Sequence, residues 1–178
     1  MQQAENGTAE KLAVTLQEGG IVLRPFTEKD VPEVAAACRD PEIARWIPVP
    51  VPYSEDDART YIATAREARA IVDAHTGELL GSIGWRVVDQ GNVQIGYWVK
   101  RDAWGRGVAT TALKLLSRWA LAELGVERVQ LLAEPGNRAS CRVAEKAGFA
   151  AEGTLRRYLD VRGERRDGIM FALVPEDR

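Results

Sequence analysis

Residues 96–116, GYWVKRDAWGRGVATTALKLL, constrain this chain more than any other segment. An aromatic and β-branched run ends at Val99. From Val108 the apolar positions recur at helical spacing, and Gly105, Arg106 and Gly107 lie between. Glycines let successive backbone N–H groups converge, and the first turn of the following helix adds unpaired donors and the positive end of its dipole. A phosphate or pyrophosphate suits such a turn, and Arg106 can add a full positive charge. The other reading is a tight strand-to-helix turn with no ligand. The segment lacks the GxxxxGK[ST] of a P-loop. It also lacks the third glycine of a dinucleotide fingerprint, and it follows a run of hairpin strands instead of opening a βαβ unit.

The rest of the chain frames that turn. LAVTLQ and IVLRPF flank Gly19-Gly20 and predict a hairpin or a strand after a turn. Thr27, with Asp30 three residues on, predicts a helix N-terminus. Val31, Val34, Ala35 and Cys38 follow at helical spacing, with a stop before Pro41. IPVPVPYS is too proline-rich for a helix or a central strand; it lines a cleft or acts as a stiff connector. Ser54 caps a helix through Ala58, Tyr61, Ile62 and Ala65. AIVDA, LLGSIGWRVV and VQIGYWV, joined by HTGE and DQGN, predict an antiparallel meander. Val108, Ala112, Leu116, Trp119 and Leu124 then mark one apolar stripe on a helix that Gly125 ends. The strand RVQLLA, a helix over 137–147 closed by Gly148, and the strands FAAEGTLRRYL and RDGIMFALV complete the chain. This order predicts an α+β fold in which helices flank a mixed, mostly antiparallel sheet of about seven strands. It forms a single domain over residues 13–178, with residues 1–12 as a flexible polar tail.

A chain of 178 residues can bury one sizeable core. Its net charge of −2 argues against nucleic-acid binding driven by counterion release. Arg156, Arg157, Arg162, Arg165 and Arg166 cluster near the C-terminus and read as a solvated face or turn. No apolar run is long enough to span a membrane, and the N-terminus lacks the pattern of a signal peptide. Cys38 and Cys141 have no metal-type spacing, and the single histidine, His75, sits in a turn. The expectation is a reduced, cytoplasmic protein without a metal.

Two motifs carry a family resemblance. WGRGVA resembles the pyrophosphate loop [Q/R]GxGx[G/A] of the GNAT N-acetyltransferases, with Trp104 in the leading place as in the RimJ/RimL branch. NRASCRVAEKAGF, residues 137–149, resembles the NxxSxxxxEKxGF segment that follows the fifth sheet strand in that family. The likeness extends over all but the first dozen residues. VLRPFTEKDVPEV is similar to the branch's opening strand and helix, IGYWV to its fourth strand, and RRDGIMFALV to its last.

The resemblance implies a sheet splayed between its fourth and fifth strands, acetyl-CoA as co-substrate, and an amine acceptor, either a protein N-terminus or a small molecule. Homodimers are common among such relatives. The resemblance lays the pantetheine arm along Tyr97, Trp98 and Val99. It sets the pyrophosphate on Trp104, Gly105, Arg106, Gly107, Val108, Ala109 and Thr110, with Asn137 and Ser140 also at the cofactor. The amine would attack the thioester directly, a fourth-strand N–H would hold the oxyanion, and Ser140 or Tyr158 would protonate the leaving thiolate. Asn137 is equally a helix N-cap. Trp46 and Trp85 are expected to line an apolar acceptor cleft, and Asp167 to bind the amine. Gln94 and Thr111 stand where many members carry glutamate, so no strong general base is evident. Glu134 and Asp167 are the remaining carboxylate candidates, and each is equally a surface or turn charge. The missing acids keep open a second reading, an acetyl-CoA-binding sensor or interaction module without turnover.

Overall fold

The computed structural model describes residues 14–89 and 91–177. The expected N-terminal tail, the start of LAVTLQ and Gln90 of the DQGN turn lie outside them. The strands are β1 (Leu16–Glu18), β2 (Ile21–Arg24), β3 (Ala68–Asp73), β4 (Leu79–Asp89), β5 (Asn92–Val99), β6 (Arg128–Ala133), β7 (Ala150–Val161) and β8 (Glu164–Leu173). The helices are α1 (Val31–Arg39), α2 (Pro41–Ala44), α3 (Glu55–Thr64), α4 (Val108–Trp119) and α5 (Arg138–Lys146). One sheet holds all eight strands in the order β1-β2-β3-β4-β5-β6-β8-β7. The count exceeds the expected seven because the short β1, paired on β2 across Gly19-Gly20, joins the sheet edge. The fourth and fifth strands of the family pattern are therefore β5 and β6.

Local chemistry sets the helix ends. Asp30 accepts the Thr27 N–H at 2.7 Å and meets the Arg24 guanidinium with both oxygens at 2.8 Å. Burial alone would raise the Asp30 carboxyl, but Arg24 and Thr27 outweigh it and hold the carboxyl below its ordinary range. Ser54 and Asp57 form the reciprocal cap of α3. Pro41, which stops α1, also opens α2, with the Asp40 side chain accepting the Glu42 N–H.

The sheet is covered on both faces, which is why β3 is buried along almost its whole length. On one face α4 and α5 pack over Leu23, Ile71, Ile83, Ile95, Val129, Leu131 and Phe171. Trp85 and Trp119 meet there edge to face at 5.0 Å. On the other face α1 and α3 pack over Ala70, Val72 and Leu79, with Trp98 at the margin. Arg69 is only 1% exposed, and its guanidinium donates to the carbonyls of Val14, Arg66 and Ala68 while stacking over Trp85. Those acceptors are what let a charge sit inside the core.

The one parallel pair in the sheet is its weak seam. β5 pairs with β4 along its full length, from Val99 opposite Gly81 to Asn92 opposite Asp89. β6 pairs with β8 from Val129 to Ala133. Between themselves, β5 and β6 pair only over Asn92–Gln94 and Arg128–Gln130. Beyond Gln94 and Gln130 the strands part, and the facing edges of residues 95–99 and 131–133 open into a cleft. The Lys100 N–H bonds Leu80 on β4, so strand alternation turns the backbone groups of Tyr97 and Val99 toward that cleft.

The buried pair at the base of α1 has a measurable signature. Asp30→Ala should cost about 2 kcal/mol at neutral pH, because it strands Arg24 and removes the cap. Asp30 has a depressed folded-state pKa, so its stabilisation is present above the unfolded value near 3.8 and is lost as pH falls through the folded one. Denaturant melts of both proteins from pH 7 down to about pH 2 should therefore converge in acid. A gap independent of pH would contradict the ionic account.

Candidate active site

The chain leaves β5 at Val99, makes a 3-10 turn over Arg101–Ala103 and enters α4 at Val108. The Trp104 indole N–H donates to the Val99 carbonyl at 2.8 Å and ties the loop to the strand end. Gly105 and Gly107 adopt φ of +74° and +79°, the left-handed region where a side chain would be strained. Gly107 is the N-cap of α4 and has no side chain to cap with. The first helical bond runs from the Thr111 N–H to the Gly107 carbonyl. The N–H groups of residues 105–110 therefore find no acceptor among the described residues. Such a row of N–H groups at a helix N-terminus can receive an anion. Arg106 stands beside it, half-exposed, 3.6 Å from Asp73. Backbone N–H groups of His75 and Thr76, and then Arg106, hold the Asp73 carboxyl low.

Across the cleft, α5 begins. The Asn137 side chain accepts the Ser140 N–H at 3.1 Å and caps the helix, as its position predicts. The Ser140 hydroxyl lies 3.0 Å from the Tyr97 hydroxyl, which reaches over from β5. Burial, the largest influence, pushes the Tyr97 phenol up to about 12. Cys141 sits half-buried behind Ser140, with its thiol turned to the Glu134 carbonyl.

The opposite face of the opening is roomier. Nothing lies within 4 Å of where a Gly96 side chain would begin, so the strand backbone is accessible there. The Trp46 ring lies against Gly136 at the β6–α5 loop, with the Arg45 guanidinium stacked on it. Glu134 is 14% exposed and accepts the Arg166 guanidinium with both oxygens, at 3.2 and 3.3 Å. Arg162, in the β7–β8 turn, reaches back to the Ala44 carbonyl and fastens that hairpin beside α2.

The remaining expected site residues are scattered. Trp85 is 7% exposed and packed on Trp119 and Arg69, so it belongs to the core and cannot line an acceptor cleft. Its place on β4 turns it toward α4. Tyr158 is 53% exposed on β7, and its hydroxyl has no hydrogen-bond partner among the described residues. The tyrosine that meets Ser140 is Tyr97. Asp167 accepts the backbone N–H of Arg157 and stabilises that residue's positive φ of 54° in the β7 bulge. Gln94 accepts from Arg86, and the Thr111 methyl group faces Gly19. Sequence reasoning missed the Tyr97–Ser140, Trp104–Val99 and Glu134–Arg166 contacts. Each joins separate elements, and no local pattern signals them. A second cavity, of about 400 Å³, is lined by Glu33, Asp40, Lys100 and Arg101, whose charges already pair with one another and with Glu78 and Asp102.

Residues 21–150 match the Acetyltransferase (GNAT) domain family, Acetyltransf_3. The chain is 27% identical over 174 residues to the uncharacterized N-acetyltransferase p20 of Bacillus licheniformis, covering 92% of this chain and 97% of that protein. It superposes on a GNAT-family acetyltransferase from Bacillus anthracis with a TM-score of 0.85 at 22% identity, covering 92% and 99% of the two chains. It superposes on Mycobacterium smegmatis RimJ in complex with CoA-disulfide with a TM-score of 0.83 at 24% identity, covering 94% and 90%. The chain belongs to the GNAT acetyltransferase family and is an acyltransferase, with likenesses that run to the RimJ/RimL-type members.

Proposed function

We propose that this protein is a cytoplasmic N-acetyltransferase, its single domain spanning residues 13–178, that takes the acetyl group from acetyl-CoA and passes it to a primary amine by direct attack. The observation that carries this reading is the row of unmet N–H groups at residues 105–110, at the edge of a cleft whose far wall presents Ser140. Pyrophosphate would sit on that row with Arg106, which exchanges Asp73 for a phosphate oxygen. The pantetheine arm would then follow the open edge of residues 97–99 into the sheet. RimJ, the neighbour that holds CoA-disulfide, has the same fold.

The acceptor nitrogen approaches from the Gly96 side, past Trp46 and Glu134. The thioester carbonyl oxygen meets a backbone N–H of β5 as it gains charge. The Ser140 hydroxyl donates to the sulfur as the C–S bond breaks. Asp167 and Tyr158 sit farther out, on the β7–β8 hairpin, where they would touch a long acceptor.

The acceptor is an α-amine, of a protein N-terminus or of a small molecule. A lysine side chain near 10.4 has only about one molecule in a thousand neutral at pH 7.4, whereas an α-amine near 8 is already about a fifth neutral. Glu134 is engaged by Arg166, and Gln94 and Thr111 carry no charge. A nucleophile that needs little deprotonation suits such a site.

Two measurements test these statements. Acetyl-CoA at about 100 times its Kd should stabilise the protein by about 2.7 kcal/mol in a thermal melt, while ATP should not. Gly107→Val should weaken that binding by about tenfold or more, since its branched side chain stands over the N–H row in a strained conformation. Unchanged binding by the variant would remove the loop from the cofactor site. With an alanine-starting peptide as acceptor, kcat/KM should rise with pH and level off near the α-amine's own value of about 8. A plateau complete below pH 7 would mean that the protein supplies a base.

A further inference from the structure

We propose that Tyr97 is a positioning residue for acetyl transfer: its phenol donates to Ser140 Oγ and thereby aims the Ser140 hydrogen at the sulfur of the departing coenzyme A. The inference rests on the reading of Ser140 as the group beside that sulfur.

Direction follows from counting donors and acceptors. The Tyr97 hydroxyl, 3.0 Å from Ser140 Oγ, has no other hydrogen-bond partner among the described residues. Its ring packs against the main core, so this hydrogen has one protein acceptor, and leaving it unmet would carry a desolvation cost. Ser140 has one hydrogen and two lone pairs on its oxygen. With one lone pair taken by Tyr97, the serine hydrogen must turn away from the phenol and toward the cleft. If the bond ran the other way, Ser140 would spend its hydrogen on Tyr97 and the sulfur would receive none. The Ser140 backbone is already fixed by Asn137, which leaves the χ1 rotamer and the hydroxyl rotation for the bond from Tyr97 to set.

Magnitudes decide between a hydrogen bond and a proton relay. Burial pushes the phenol up to about 12, so Tyr97 keeps its proton at any working pH. A thiol has a reference value of about 8.5, so moving a proton from tyrosine through serine to the thiolate runs uphill by more than about three pH units. No proton travels along the chain. The amine lone pair forms the C–N bond, the C–S electron pair goes to sulfur, the amine's extra proton leaves to solvent, and the thiolate departs held by the Ser140 O–H. Donation from Tyr97 polarises that O–H and strengthens the bond to sulfur.

The test needs no acceptor. Coenzyme A bound to the protein is titrated by the ultraviolet absorbance of its thiolate, with wild type, Tyr97→Phe, Ser140→Ala and the double variant compared. The bound thiol should ionise about one pH unit below free coenzyme A in wild type. Tyr97→Phe keeps the ring and should return at least half of that lowering, and the double variant should match Ser140→Ala alone, because Tyr97 acts only through Ser140. A merely structural tyrosine would leave the thiol's ionisation at the wild-type value. That result with coenzyme A still bound, or additive effects in the double variant, overturns the proposal. An unaltered thiol in Ser140→Ala, or a wild-type thiol that ionises as in free coenzyme A, overturns it too and leaves the cofactor site standing. Failure of the wild type to bind coenzyme A removes the acetyl-CoA reading itself.

Discussion

Backbone hydrogen bonding between β5 and β6 stops after three residue pairs, and the cleft exists because of that interruption. Each strand remains fixed on its other side, β5 by β4 and β6 by β8, so the seam stays open without loosening the sheet. Unpaired strand edges inside a domain carry a cost unless something meets them. Here the Trp104 indole meets the Val99 carbonyl, and the remaining groups face the opening between the strands. Gly81 serves the same arrangement from the neighbouring strand, because a side chain there would collide with the Trp98 carbonyl and push β5 away from β4.

The opening connects two chemically different surfaces. On one side lie the N–H row of residues 105–110 and Arg106, which suit a dianion. On the other lie Gly96, Trp46 and the Glu134–Arg166 pair, which leave room for an acceptor to approach the strand backbone. The two surfaces meet where the sheet parts. Ser140 belongs to the wall between them, placed by the Asn137 cap and the Tyr97 phenol. Catalysis of this kind asks for placement more than for a strong base, which fits a site where Gln94 and Thr111 replace the expected acids.

Much of the fold was legible because its signals are local. Gly19-Gly20, the Thr27–Asp30 and Ser54 caps, the stripe on α4 and the Asn137 cap each declare themselves within a few residues, and each was found in place. The glycine turn between β5 and α4 was legible for the same reason. What the sequence left hidden was anything decided by which face a residue takes or by distant partners. Trp85 looked available for an acceptor, but its position on β4 buries it against Trp119, a residue of another element. Tyr158 and Tyr97 are equivalent by composition, and only the crossing of β5 past α5 selects Tyr97 as the partner of Ser140. Asp167 was an unattached carboxylate in the sequence, whereas in the fold it supports the β7 bulge at Arg157. The short α2 escaped notice because Pro41 was read only as a stop, when it is also a start.

A crystal structure with coenzyme A bound tests the central claim most directly. The account predicts pyrophosphate oxygens within hydrogen-bond distance of the N–H groups of residues 105–110, the pantetheine arm against residues 97–99, and the sulfur beside Ser140 Oγ. A coenzyme lying elsewhere, with the β5–β6 opening empty, would contradict it.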